Sequence, residues 1–262
     1  MTPGTPKPQV DTSKPHPARI YDYLLGGKDN YDVDRQVGER LADDAKRGAV
    51  QNRAFMRRAV DWVARSGVDQ FLDIGTGIPT EPNLHQVVQR TEPKARVVYA
   101  DNDPIVLRHA EALLISTPEG ATDYVQADVR EPRLILEHAR TLLDFTRPVA
   151  VSLVALMHFI PDEGDPYGIV RTLVGALSPG SYLVLSHGTE DFLDEEHRVE
   201  VAGKYRTSGI TLRTRTRSEI ERFFDGLGLV DPGLVPAPRW YKDTPAPTDE
   251  PTIIYGGVAL VP

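Results

Sequence analysis

Cysteine is absent from the 262 residues, which removes disulfides, thiol nucleophiles and thiolate metal sites and fits a reducing compartment. Apolar runs approaching the roughly 18 residues of a membrane span are missing too, so no membrane partner is expected. No long lysine or arginine run occurs. With 30 basic against 38 acidic side chains the formal net charge is −8, which lacks the electrostatic footprint of duplex binding. No nucleic-acid partner is expected. The chain shows no internal repeat, P-loop or GxSxG, and no histidine–glutamate pair at zinc spacing. No metal is expected either.

What remains is ordinary in bulk and informative in pattern. The hydrophobic share of 40% and charged share of 26% suit a globular chain with a core. The length allows one large α/β domain or two small ones. Residues 1–17 are rich in Pro, Thr and Lys and resemble neither a secretory signal nor an anchor. They read as a disordered tail on a cytoplasmic protein. Residues 18–67 read as helical, broken at Gly26-Gly27, with Phe55, Ala59, Val60, Trp62 and Val63 near one face. From residue 68 the texture changes to short β-prone runs at 70–74, 96–100, 122–126, 148–154 and 181–186. Helical stretches at 83–90, 104–114, 134–143 and 169–177 separate them. That alternation predicts a parallel sheet with right-handed crossovers. A helix over 219–227, a strand near 229–235 and a β-rich 252–260 follow. The last strand is expected to run antiparallel at or near the sheet edge, joined through a Pro-rich loop over 232–251.

The most informative stretch is Phe71-Leu72-Asp73-Ile74-Gly75-Thr76-Gly77. A strand ends in an acid, and two glycines then let backbone approach a ligand where a Cβ would clash. Two ligand classes use such a turn. A dinucleotide needs a third glycine so that pyrophosphate meets the helix N-terminus, but Thr80, preceded by Pro79, stands there. An adenosyl sulfonium has no phosphate, and its ammonium suits the carboxylate of Asp73. A second strand ends in Asp101, 24 residues beyond Gly77, near the ~20-residue spacing that presents a carboxylate to ribose hydroxyls. Asp103 reads as a helix N-cap. A third strand ends at Asp128, placed to accept from an adenine amino group. Ligands bind at that edge of such sheets.

The order DIGTG, VVYADND, YVQAD resembles the first three motifs of class I methyltransferases. The longer string ARIYDYLLGGKDNY, from Ala18 to Tyr31, resembles a narrower group, the bacterial S-adenosyl methyltransferase family. Further likeness lies at 71–80, at His158-Phe159-Ile160-Pro161-Asp162 and at 179–187, so the resemblance runs from Pro17 to the C-terminus. It implies a Rossmann-like α/β fold: a doubly wound, mostly parallel seven-stranded sheet with one antiparallel strand. An N-terminal helical cap or lid over 18–67 would sit on the main domain, 68–262. It also implies S-adenosyl-L-methionine as cofactor and S-adenosyl-L-homocysteine as product. Cofactor contacts carry over to Asp73, Gly75, Gly77, Asp101 and Asp128.

In methyltransferases an N-terminal segment often closes over the cofactor, which makes Tyr21, Asn30 and Tyr31 candidate pocket residues and Gly26-Gly27 a hinge or helix C-cap. The fourth strand leads to His158, a candidate general base. His187 ends the fifth strand and is a second candidate catalytic residue. Asp162, Glu163 and Asp165 read as a solvated acidic loop. Residues 213–217, alternating Arg and Thr, read as a solvent-facing charged surface, or else as a contact for an acidic group or partner subunit. The expected activity is methyl transfer to a small-molecule O, N or C acceptor. A non-catalytic, regulatory S-adenosylmethionine-binding protein is the alternative, and the missing third glycine argues against a nicotinamide oxidoreductase. The N-terminal helices and the C-terminal β segment offer surfaces for a homodimer.

Overall fold

The computed structural model describes residues 11–240 and 251–262, apart from 42, 114, 195, 197–202, 204–206 and 208. Residues 1–10 of the expected disordered tail and residues 241–250 of the loop at 232–251 therefore lie outside the described residues. Three helices open the chain: α1 (Pro17–Leu24), α2 (Asp32–Arg40) and the long α3 (Asp43–Arg65). Five parallel strands follow, namely β1 (Gln70–Ile74), β2 (Arg96–Asp101), β3 (Ala121–Gln126), β4 (Ala150–Val154) and β5 (Tyr182–Gly188). Helices α4 (Leu84–Thr91), α5 (Pro104–Leu113), α6 (Pro132–Ala139) and α7 (Pro166–Val174) make the crossovers.

Side-chain alternation along the strands builds two apolar layers. Phe71, Val97, Ala150 and Val184 face α3 and α4, where Phe55, Ala59, Val60 and Val63 are wholly buried. Leu72, Val98, Val151 and Leu183 point the other way, into a layer with Ile135 of α6 and Leu173 of α7. The apolar face read over 52–64 is thus the face that seats α3. Trp62, at its margin, is partly buried and packs edge-on against Tyr182 and Trp240.

After β5 come a short α8 (Arg217–Glu221), β6 (Gly228–Leu229), β7 (Val235–Pro236) and β8 (Ile254–Leu260). The strand order is β3-β2-β1-β4-β5-β8-β6, with β7 also on β8. β8 is antiparallel to β5 and is the reversed strand of an otherwise parallel sheet. Seven positions were expected and seven exist, but the last is split. Both β6 and β7 pair with β8, through Leu229↔Ala259 and Val235↔Gly256. Asp231-Pro232-Gly233 interrupts what reads in sequence as one strand over 229–235, because proline has no N–H to donate to a ladder. The helix expected over 219–227 is shorter, with α8 passing into a 3-10 turn over Arg222–Phe224.

Strand order reverses between β1 and β4. Crossovers on either side of that point diverge, leaving a crevice beyond the strand C-termini where such sheets hold ligands.

Candidate active site

The turn after β1 is built by glycines in the left-handed region, with φ of +75° at Gly75 and +67° at Gly77. A Cβ on Gly75 would stand 2.7 Å from Leu156 Cδ1, whereas at Gly77 nothing lies within 4 Å. The Gly77 N–H donates to Asp101 Oδ2 at 2.8 Å, tying the turn to the end of β2. The Asp103 N–H donates to Asp101 Oδ1 at 2.9 Å, and Asp103 in turn caps α5 by accepting from the Ile105 N–H.

A cavity of about 340 Å³ opens over this edge, and Asp73, Gly75, Gly77, Asp101 and Asp128 all line it. The three carboxylates share one rim. Their environments differ. Burial pushes the Asp73 carboxyl up to about 6, against the opposing pull of the Ser152 hydroxyl and the Arg53 charge. Burial also raises Asp101, partly offset by the Asp103 and Gly77 N–H donors. Asp128 is held below the usual range, chiefly because Arg130 donates to it, Nη2 to Oδ2 at 2.5 Å and Nε to Oδ1 at 2.9 Å.

Helix α1 forms the opposite wall. His16, which accepts from the Ala18 N–H to cap α1, also lies 3.1 Å from Asp103, beside Arg19 at 3.3 Å from the same carboxylate. Residues 15–17, expected to belong to the tail, therefore line the cavity. Tyr21 lines it too, its hydroxyl donating to the Ala49 carbonyl at 3.0 Å and accepting from Asn52 Nδ2 at 2.9 Å. Ser186 Oγ donates to Asn52 Oδ1 and accepts from the Ala155 N–H. Ala155, just past β4, holds a left-handed φ of +55°, a conformation that costs a residue with a Cβ about 1–2 kcal/mol and that clusters at functional sites.

Arg53, Asn52 and His16 are lining residues that sequence reasoning missed. The available signal was an Arg beside an Asn on a helix otherwise read for its apolar face.

Asn30 and Tyr31 are not part of this lining. Leu25 is the C-cap of α1 and Gly26, at φ +81°, follows it in the left-handed position that closes the helix, and the loop beyond is organised around the buried carboxylate of Asp22. Asn30 Nδ2 donates to that carboxylate at 2.8 Å and to the Gly27 carbonyl at 3.1 Å, and the Asp29 N–H donates at 2.9 Å. Tyr31 is 38% exposed and caps α2, with the Arg19 guanidinium over its ring. The Gly-Gly string is a helix-end scaffold.

The two histidines part company. His187 is wholly buried and both ring nitrogens are engaged: Nδ1 with the Gly188 carbonyl at 2.7 Å, Nε2 with Arg215 Nη1 at 3.0 Å. It lines neither this cavity nor its neighbour. Arg215, expected on a solvent-facing surface, is itself fully buried. It donates to the carbonyls of Met157 and Ile160 and to Asp162, clamping the 157–162 turn to the end of β5. Asp162 is accordingly an ion-pair partner of Arg213 and Arg215.

His158 lines a second cavity of about 140 Å³. Its Nδ1 accepts from the Gly188 N–H at 3.2 Å, so the proton of the neutral ring sits on Nε2. Burial and the nearby Arg215 charge drop its pKa to about 3. The two cavities share Pro17, Tyr21, Ala155, Phe159 and Ile210 as walls.

The family model for S-adenosyl methyltransferases matches residues 3–262. The chain belongs to that family. A DUF574 family protein from Streptomyces avermitilis is 46% identical, covering 97% of this chain and 100% of its own, with a TM-score of 0.92. A protein from Thermobifida fusca assigned to the methyltransferases is 38% identical, with 98% of each chain covered and a TM-score of 0.84. No curated protein matches.

The methyltransferase uses S-adenosylmethionine as cofactor, and the first cavity fits it on three observations. Asp73 is a half-buried carboxylate without an ion-pair partner among the described residues, Arg53 supplies a guanidinium on the same wall, and the Gly77 position is open where a Cβ would intrude. A carboxylate beside a cation matches an amino-acid head group. Among the described residues of the methyltransferase, no helix is long and apolar enough to cross a membrane, and no cluster of three or more His, Asp or Glu is placed to hold a metal.

Proposed function

We propose that the enzyme transfers a methyl group to a small-molecule O, N or C acceptor seated in the second cavity. The observation that carries this reading is the shared wall at Tyr21, Ala155 and Phe159, which sets a second chamber against the cofactor chamber. When bound, the cofactor supplies an activated sulfonium methyl group. The chain's task is then orientation and exclusion of water.

In this reading Asp73 takes the cofactor's ammonium and Arg53 its carboxylate. Asp101 keeps lone pairs for ribose hydroxyls beyond the two it gives to backbone N–H groups, and Asp128 accepts from the adenine amino group. Gly75 and Gly77 let the backbone come close. His158 is not placed as the general base: its Nδ1 is occupied, and a conjugate acid with a pKa of about 3 holds a proton weakly. It orients the acceptor instead. His187 acts through Arg215 on the turn that carries His158.

The test is methyl transfer from isotopically labelled cofactor into fractionated cell extract. Label in the small-molecule fraction is expected. Label confined to protein or nucleic acid would overturn the assignment.

A further inference from the structure

We infer that the acceptor is a neutral, single-ring apolar molecule bearing an oxygen that the Nε2–H of His158 recognises. This deepens the acceptor reading above and rests on it.

Size is the first argument. The second cavity measures about 140 Å³, close to the roughly 150 Å³ apolar cavity that stays dry and takes up benzene. One ring matches that volume. Its walls include Leu24, Leu41, Ala49, Leu212, Ile253 and Ile254, contributed by α1, the chain before α3, α3, the segment between β5 and α8, and the start of β8. Such a lining favours an apolar body and leaves specificity to a few fixed polar groups.

Charge is the second. Among the described residues no lysine or arginine lines the chamber, whereas Asp44 and Glu190 do. Asp44 is already paired with Arg47. Arg215, the cation nearest His158 in influence, spends its Nη1 and Nη2 on Met157, Ile160, Asp162 and His187. Against these described walls a carboxylate ligand would lose its hydration and meet no cation.

The polar handle is the third. His158 is 7% exposed, and among the described residues no partner meets its Nε2–H, which still touches accessible space and is not one of the orphaned buried polar atoms. A ligand that shuts this donor off from water without pairing it would incur the cost of an unsatisfied donor. An oxygen on the ligand satisfies it and fixes the ring's orientation beside Ala155 and Phe159, the walls common to both chambers.

The experiment is equilibrium dialysis of the full chain at pH 7.5 with saturating S-adenosylhomocysteine, using 4-methylphenol, toluene, benzoate and benzylammonium as probes. The expected order has 4-methylphenol bound at least tenfold more tightly than benzoate or benzylammonium and severalfold more tightly than toluene. Ala45→Phe, which fills the second chamber from α3, is expected to lower 4-methylphenol affinity more than tenfold while leaving S-adenosylhomocysteine within twofold. His158→Leu should bring 4-methylphenol down to the level of toluene, with toluene itself unchanged. Equal or tighter binding of either charged probe overturns the inference, as does 4-methylphenol binding that Ala45→Phe leaves intact. S-adenosylhomocysteine bound with no 4-methylphenol bound sinks this inference alone. Absence of S-adenosylhomocysteine binding would sink the cofactor reading with it.

Discussion

The backbone N–H of Gly77 donates to the Asp101 carboxylate at 2.8 Å across 24 residues of chain. One side chain thus fixes the shape of the glycine turn from the neighbouring strand and also presents lone pairs to the cavity. Asp101→Ala should weaken S-adenosylhomocysteine binding by about 1–3 kcal/mol, read by calorimetry. Faster amide exchange at Gly77 should accompany it, because that donor loses its acceptor. Unchanged affinity in a folded variant would remove Asp101 from the site.

Asp73 makes cofactor affinity depend on pH. Burial pushes its carboxyl up to about 6 in the free protein, and the cofactor's ammonium favours the ionised form. Affinity should therefore be flat above pH 6 and fall as pH drops below it, approaching tenfold per unit. The corresponding stability effect has the opposite sign: a raised carboxyl stabilises the fold most below 3.8, and that contribution is lost as pH rises through about 6. Asp73→Asn should bind more weakly at pH 7.5 and with a shallower pH slope, the remainder belonging to Asp101, which burial also raises. An undiminished slope in Asp73→Asn would refute the assignment.

The two glycines of the turn should fail differently. Gly75→Ala combines a φ of +75° with a Cβ at 2.7 Å from Leu156 Cδ1, so its main loss is in stability, about 2–3 kcal/mol. Gly77→Ala meets no protein atom within 4 Å and should lose only about 1 kcal/mol of stability. It should nonetheless bind S-adenosylhomocysteine at least tenfold more weakly. Denaturant unfolding and calorimetry on both variants separate the effects.

Buried, neutral histidines make the fold sensitive to acid. His158 is depressed to about 3 and His187 lies well below the ordinary value of 6.5, both chiefly through burial. The unfolded chain takes up these protons first, so their contribution is complete above pH 6.5 and lost as pH falls toward 3. Thermal midpoints should decline across that window, and His158→Leu should decline less steeply. An equal decline would show that other groups dominate.

Arg215 is a structural clamp with a readable cost. Arg215→Met leaves the carbonyls of Met157 and Ile160 and the Asp162 carboxylate without their shared donor. Unfolding should be easier by about 3–5 kcal/mol, with S-adenosylhomocysteine still bound at low temperature.

Local patterns in the sequence reach far into this structure. Strand ends marked by acids put Asp73, Asp101 and Asp128 on one rim, because the C-terminal ends of β1, β2 and β3, adjacent parallel strands, lie at one edge of the sheet, where such sheets hold ligands. The apolar period over 52–64 likewise gives the seat of α3. What local pattern does not show is the partner a polar residue finds across the fold. Arg215 looks like one of several alternating surface arginines until the 157–162 turn closes over it. Asn30 sits in a string that resembles a pocket motif, yet it serves a buried Asp22 eight residues away. Arg53 and Asn52 were invisible for the converse reason: they occupy the edge of a helical face chosen for its hydrophobicity. The split between β6 and β7 needed only the proline to be weighed more heavily.

Tyr21 touches both chambers and is roped through Asn52 and Ser186 to the backbone of Ala155. Whatever factor one guest leaning on this post imposes on its companion's affinity, the companion must return in equal measure. Any grip that a ligand in the smaller room exerts through Tyr21 can therefore be read from titrations of the larger.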